Sequence, residues 1–117
     1  MKFALLIYED EKYYAEATPA DWEAATVAHN AFAAEAAERG MELSGDALQP
    51  TPTGQTVRFT NSGQNVLVTD GPYAETKEQL GGFYLLDCKD INEALEMAKK
   101  LPVQEGAVEV RPVMVFE

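Results

Sequence analysis

Residues 3–8, FALLIY, are apolar at every position. In an extended chain successive side chains point to opposite faces, so Phe3, Leu5 and Ile7 share one face and Ala4, Leu6 and Tyr8 the other. Residues 82–87, GFYLLD, repeat the pattern, with Phe83 and Leu85 opposed to Tyr84 and Leu86. Strands that are apolar on both sides need cover on both sides. What supplies that cover decides the architecture.

Outward from these strands, Thr18 to Arg39 reads as a helix. Thr18 is its N-cap, Pro19 suits the first helical position, Asp21 is a short capping-box acid and Gly40 the stop. MELSGDALQ (41–49) is a weaker strand interrupted by Gly45. TVRFT (56–60) and NVLVT (65–69), joined through Asn61, Ser62 and Gly63, form a hairpin. Asp90 caps a second helix with Glu93 three residues on, and Ile91, Ala94, Leu95, Ala98 and Leu101 give it one apolar stripe ending at Pro102. AVEVRPVMVF (107–116) is the last strand. This order predicts an α+β fold, a ferredoxin-like split β-α-β sandwich with an extra hairpin. Its two helices cover one face of the sheet. A second copy, packed sheet to sheet about a two-fold axis, covers the other, so a homodimer is expected.

The 117 residues make one domain, 1–117, without linker, repeat or low-complexity tract. Twenty acidic residues against nine basic ones give a net charge of −11, which excludes phosphate backbones and anionic lipid surfaces as partners. Neither retention on heparin nor a duplex mobility shift is expected at physiological salt; either result would restore a direct nucleic-acid role. Cys88 is the only cysteine, so no intrachain disulfide forms, and the opening MKFALLIYEDE is too short an apolar run for a leader or a span. A cytoplasmic protein is expected. Asp87 and Asp90 disfavour a thiolate at Cys88, which reads as structural. One histidine and no HxxxH or CxxC spacing predict no metal, and no phosphate loop or cofactor fingerprint is present.

Two places can carry chemistry. His29 shares a helical stripe with Trp22, Ala25, Phe32 and Ala36, which turns it toward the sheet. It is either a core histidine bonded to a backbone group or carboxylate, or a general acid/base oriented by Asp46 or Asp70. The second place is DGPYAETKEQLGG, residues 70–82. Asp70-Gly71-Pro72 and Gly81-Gly82 are turn-forming ends, and the segment between is longer than the ~2 to 5 residues of a plain hairpin loop. Tyr73, Glu75 and Lys77, with Tyr84 on the adjoining strand, offer contacts to a small-molecule ligand. A loop bridging two subunits explains the same polar density. Glu9-Asp10-Glu11 reads as a solvated run.

VTDGPYAETKEQLGGFYLLD (68–87), with KFALLIYED (2–10), DINEALEMAKKLP (90–102) and VEVRPV (108–113) in the same order, resembles the YCII-related proteins. It is most similar to the branch named for a DGPF motif, with Tyr73 where that branch usually has phenylalanine. The resemblance implies a dimeric α/β barrel with a pocket near the dimer interface, a fold shared with monooxygenases and dismutase-like haem proteins. It also implies an acid/base histidine on the first long helix, where His29 falls, and an aspartate for which Asp46 and Asp70 are the candidates. Members of the branch resemble genes found beside sigma factors. Two functions are therefore expected as alternatives. One is a small enzyme using His29 and Asp70, with Tyr73, Glu75, Lys77 and Tyr84 binding substrate. The other is a non-catalytic dimeric binding or regulatory module linked to sigma-factor pathways.

Overall fold

The computed structural model describes residues 1–116. Strand β1 (Lys2–Asp10) runs directly into a short helix α1 (Glu11–Ala15), because the Asp10 carboxylate accepts from the Lys12 amide at 3.0 Å and caps it. This helix adds a third to the two that the sequence pattern predicts. Helix α2 (Pro19–Glu38) starts on a complete capping box: the Asp21 amide donates to Thr18 Oγ1 and the Thr18 amide to Asp21 Oδ2. Then follow β2 (Glu42–Ala47), a 3-10 turn (Thr51–Thr53), β3 (Gln55–Thr60), β4 (Asn65–Asp70), β5 (Glu78–Asp87), α3 (Ile91–Ala98) and β6 (Gly106–Pro112).

The main sheet has the order β2-β5-β1-β6 with antiparallel neighbours throughout, an arrangement compatible with the ferredoxin-like sandwich. β3 and β4 pair only with each other. Asn61, Ser62 and Gly63 at their tip all have positive φ, which is why short polar residues and glycine stand there.

Gly81-Gly82 does not end a loop, as the turn signal suggested. β5 already begins at Glu78, and the register steps from Ile7↔Gly82 to Tyr8↔Leu80, leaving Gly81 as a bulge. The glycines serve close packing: a Cβ on Gly82 would lie 3.0 Å from the Asp46 carbonyl. The last strand is also shorter than the apolar run 107–116: it ends at Pro112, and the Val113 amide makes a last bond to the Lys2 carbonyl at 2.9 Å.

Phe3, Leu5, Ile7 and Leu86 project from one face of the sheet into a core completed by Phe32 and Ala36 of α2 and by Ala94, Met97 and Ala98 of α3. Met97 is fully buried whereas Ile91 and Leu95 are exposed, so the stripe of α3 centres on Ala94, Met97, Ala98 and Leu101. The opposite face carries Ala4 paired with Leu85 and Leu6 paired with Phe83, flanked by Ser44 and Asp46 on β2 and by Glu109 and Arg111 on β6. No described helix lies on it. The chain forms a slab of 48 × 46 × 17 Å. No described helix is long and apolar enough to cross a membrane.

Candidate functional site

Tyr84 stands on the helix-covered face of β5, beneath α2. Its neighbour across the sheet is Gly45, where a Cβ would sit 2.2 Å from the Phe83 carbonyl oxygen and 3.0 Å from Tyr84 Cδ1, so the absence of a side chain there seats both backbone and ring. The Tyr84 ring packs against Phe32 with centroids 4.9 Å apart, and its Oη lies 2.7 Å from His29 Nδ1. Among the described residues His29 Nε2 makes no hydrogen bond. Because no buried side-chain nitrogen or oxygen there is left without a partner, Nε2 is open to solvent or to a ligand. Burial holds the imidazole below the ordinary histidine range and pushes the Tyr84 phenol up. Both groups are neutral at pH 7, so the pair has two tautomers. With Nδ1–H donating to Tyr84 Oη, the free lone pair is on Nε2 and the histidine is a base.

Neither candidate aspartate is hydrogen-bonded to His29. Asp46 pairs with Phe83 and so faces the uncovered side of the sheet, away from Tyr84. Asp70 ends β4, where its Oδ1 accepts from Gln55 Nε2 at 3.1 Å. It lines a second feature, a cleft of about 490 Å³ between the root of the β3–β4 hairpin and α1.

Glu75 and Lys77 line the cleft too, but the Lys77 ammonium is held by Glu105 Oε1 at 2.6 Å, which raises its pKa. Glu11 closes one wall by accepting from both the amide and the hydroxyl of Thr51, each at 2.8 Å. Gln79 Nε2 donates to the carbonyls of Ala74 and Thr76 and folds the loop back on itself. Tyr73 points outward, three-quarters exposed. The structure thus brings His29 and Tyr84 together under α2, gathers Asp70, Glu75 and Lys77 at the cleft, and leaves Tyr73 outside both.

One polar cluster escaped the sequence pattern. Glu9 is not part of a solvated run: it continues the Phe3, Leu5, Ile7 face and is half-buried, with its Oε2 accepting from Tyr14 Oη at 2.7 Å. Tyr14 in turn stacks on Trp22, centroids 5.1 Å apart. Burial raises the Glu9 carboxyl and, with the Glu9 hydrogen bond, raises Tyr14. Strand alternation alone would have placed Glu9, had it been carried two residues further. Trp22 is half-exposed beside Tyr14 rather than packed on the sheet. Cys88 is a buried free thiol, pushed up by burial and then by Glu93. No group of three or more potential metal ligands occurs among the described residues.

The model of the YCII-related domain matches residues 1–117. A protein of Rhizobium meliloti (strain 1021), described only as uncharacterised, is 36% identical over 120 residues, covering 100% of this chain and 95% of the relative.

Proposed function

We propose that this chain, which belongs to the YCII-related family, is a homodimeric cytoplasmic enzyme acting on a small molecule, with His29 and Tyr84 as its proton-transfer pair. The observation that carries this reading is the 2.7 Å contact between Tyr84 Oη and His29 Nδ1 beside an unpartnered Nε2. A base needs a fixed tautomer, a free lone pair and a midpoint near or below the working pH. Tyr84 meets the first in the tautomer where its Oη accepts from Nδ1–H, and partial burial supplies the last. After Nε2 takes a proton, the imidazolium still donates through Nδ1–H to Tyr84 Oη, so the pair tolerates both charge states. Asp70, Glu75 and Lys77 then belong to the cleft wall as binding groups, not to the proton-transfer step.

The dimer reading rests on the uncovered face of Leu6, Phe83 and Leu85, apolar at its centre and polar at its edges, as protein interfaces are. Two such sheets packed face to face would close an α/β barrel. The lone Cys88, free and buried, suits a reducing cytoplasm.

NMR titration of the His29 ring tests the pair. The expected midpoint lies below ~6.5, with the proton on Nδ1 in the neutral form, and Tyr84→Phe should let the two tautomers mix. A ligand found by metabolite screening should move the midpoint, and His29→Gln should abolish its turnover. A midpoint at or above the free-histidine value, unmoved by any ligand, would overturn the assignment and leave the binding-module alternative. Stability follows the same sign. The unfolded chain takes up this proton more readily than the folded one, so the contribution is fully present above ~6.5 and is lost as pH falls through the lower folded midpoint. His29→Gln should flatten that part of the stability–pH curve.

A further inference from the structure

Residues paired across β3 and β4 share a face. Val57 with Val68 and Phe59 with Val66 make one face of the hairpin, while Thr56 with Thr69 and Arg58 with Leu67 make the other. The rest of the chain touches the more polar of the two at two points, and Leu67 on that face stays 61% exposed. Thr56 Oγ1 donates to the Gly71 carbonyl at 2.7 Å, and the Arg58 guanidinium donates to the carbonyl of Tyr73. Val57, Phe59, Val66 and Val68 are left between 50% and 66% exposed. A two-stranded hairpin is marginal in water without a packed face, and this one pairs with no other strand.

We infer that the face formed by Val57, Phe59, Val66 and Val68 docks on a second copy of the chain, making the hairpin an arm of the dimer. The inference rests on the homodimer proposed above and adds a second contact to its sheet-on-sheet one. The surface area argues for the occupant. The chain exposes 8217 Å², against about 6,300 Å² for a compact monomer of its mass. The excess of roughly 1,900 Å² falls in the range that one subunit of an obligate dimer buries, about 1,000 to 2,500 Å². The radius of gyration, 16.3 Å, likewise exceeds the ~13 Å of a compact chain of this length. Two copies of a chain with net charge −11 repel, but the four residues of this face are uncharged, so like charges need not meet there. The root of the arm carries Asp70 and Gly71 of the cleft wall, so docking would also fix the cleft.

The test is sedimentation of wild type, Leu6→Asp and Phe59→Asp, with circular dichroism confirming the fold of each. Phe59→Asp should remain folded, because Phe59 is two-thirds exposed in the single chain, and should weaken dimerisation by roughly 100-fold. A monomeric wild type would defeat both the dimer and the arm. Dissociation by Leu6→Asp with Phe59→Asp still fully dimeric would defeat the arm alone and assign the face to a different partner. In a mixed sample of isotope-labelled and unlabelled wild type, contacts from the Phe59 ring and the Val57, Val66 and Val68 methyls to the unlabelled copy are expected. Their absence in a dimeric sample overturns the inference whatever the variants do.

Discussion

Leu6→Asp is expected to turn the proposed dimer into a folded monomer of 12.8 kDa, readable by analytical ultracentrifugation. Leu6 sits in the centre of the uncovered sheet face, paired with Phe83 on β5 and Glu109 on β6. An aspartate there would bring an unpaired charge against an apolar partner surface, at a cost of about 3 kcal/mol or more. Glu109 beside it would add repulsion of like sign. The monomer's own core lies on the other face and is untouched, so the secondary structure should survive. Tyr84→Asp is the matched contrast. Tyr84 faces α2 and packs on Phe32, so the same chemical change should lower the melting temperature of the subunit itself and should not act primarily on assembly. Equal sedimentation of Leu6→Asp and wild type as dimers would show that the sheet face is not the contact.

Gly45→Ala is expected to be a severely damaging single-methyl change at the candidate site. Its Cβ would lie 2.2 Å from the Phe83 carbonyl oxygen and 2.9 Å from Tyr84 Cα. Both are backbone atoms of the neighbouring strand, which cannot rotate aside as a side chain can. The β2–β5 ladder would have to open at Gly45↔Tyr84, and we expect a loss of about 3 kcal/mol or more, at the upper end of overpacking effects. The displaced strand is the one that positions Tyr84, so the Tyr84–His29 contact should loosen with it. Urea unfolding gives the first quantity and the His29 ring titration the second. A Gly45→Ala protein of wild-type stability would mean that β2 is not held against β5 as closely as described.

Much of the framework was legible because it depends on neighbours in the chain. Thr18, Pro19 and Asp21 announce the start of α2 through bonds that span three residues. Asn61, Ser62 and Gly63 announce the hairpin tip through their tolerance of positive φ. The turn signal at Gly81-Gly82 misled for a related reason. Glycine marks either a reversal or a close approach, and only the carbonyl of Asp46 on another strand decides between them. α1 leaves no mark in the pattern because five residues carry too little periodicity to register.

The candidate site divides in the same way. That His29 turns toward the sheet follows from its helical spacing, but its partner is Tyr84, 55 residues away. The aspartates looked better by charge alone. Asp46 is directed to the opposite face by one residue of strand register, and Asp70 is carried off on the hairpin.

By itself, then, the sequence determined the strands with two apolar faces, helices α2 and α3, the hairpin and the net charge of −11. Each is a property of residue type and period. The tertiary structure decided that Tyr84 is the neighbour of His29, that Glu9 is half-buried, and that residues 70–79 wall a cleft separate from the histidine. It also decided that the hairpin meets the loop after it through Thr56 and Arg58. These depend on strand order and register, which bring together residues far apart in the chain, and a shift of one residue moves a side chain to the other face of the sheet.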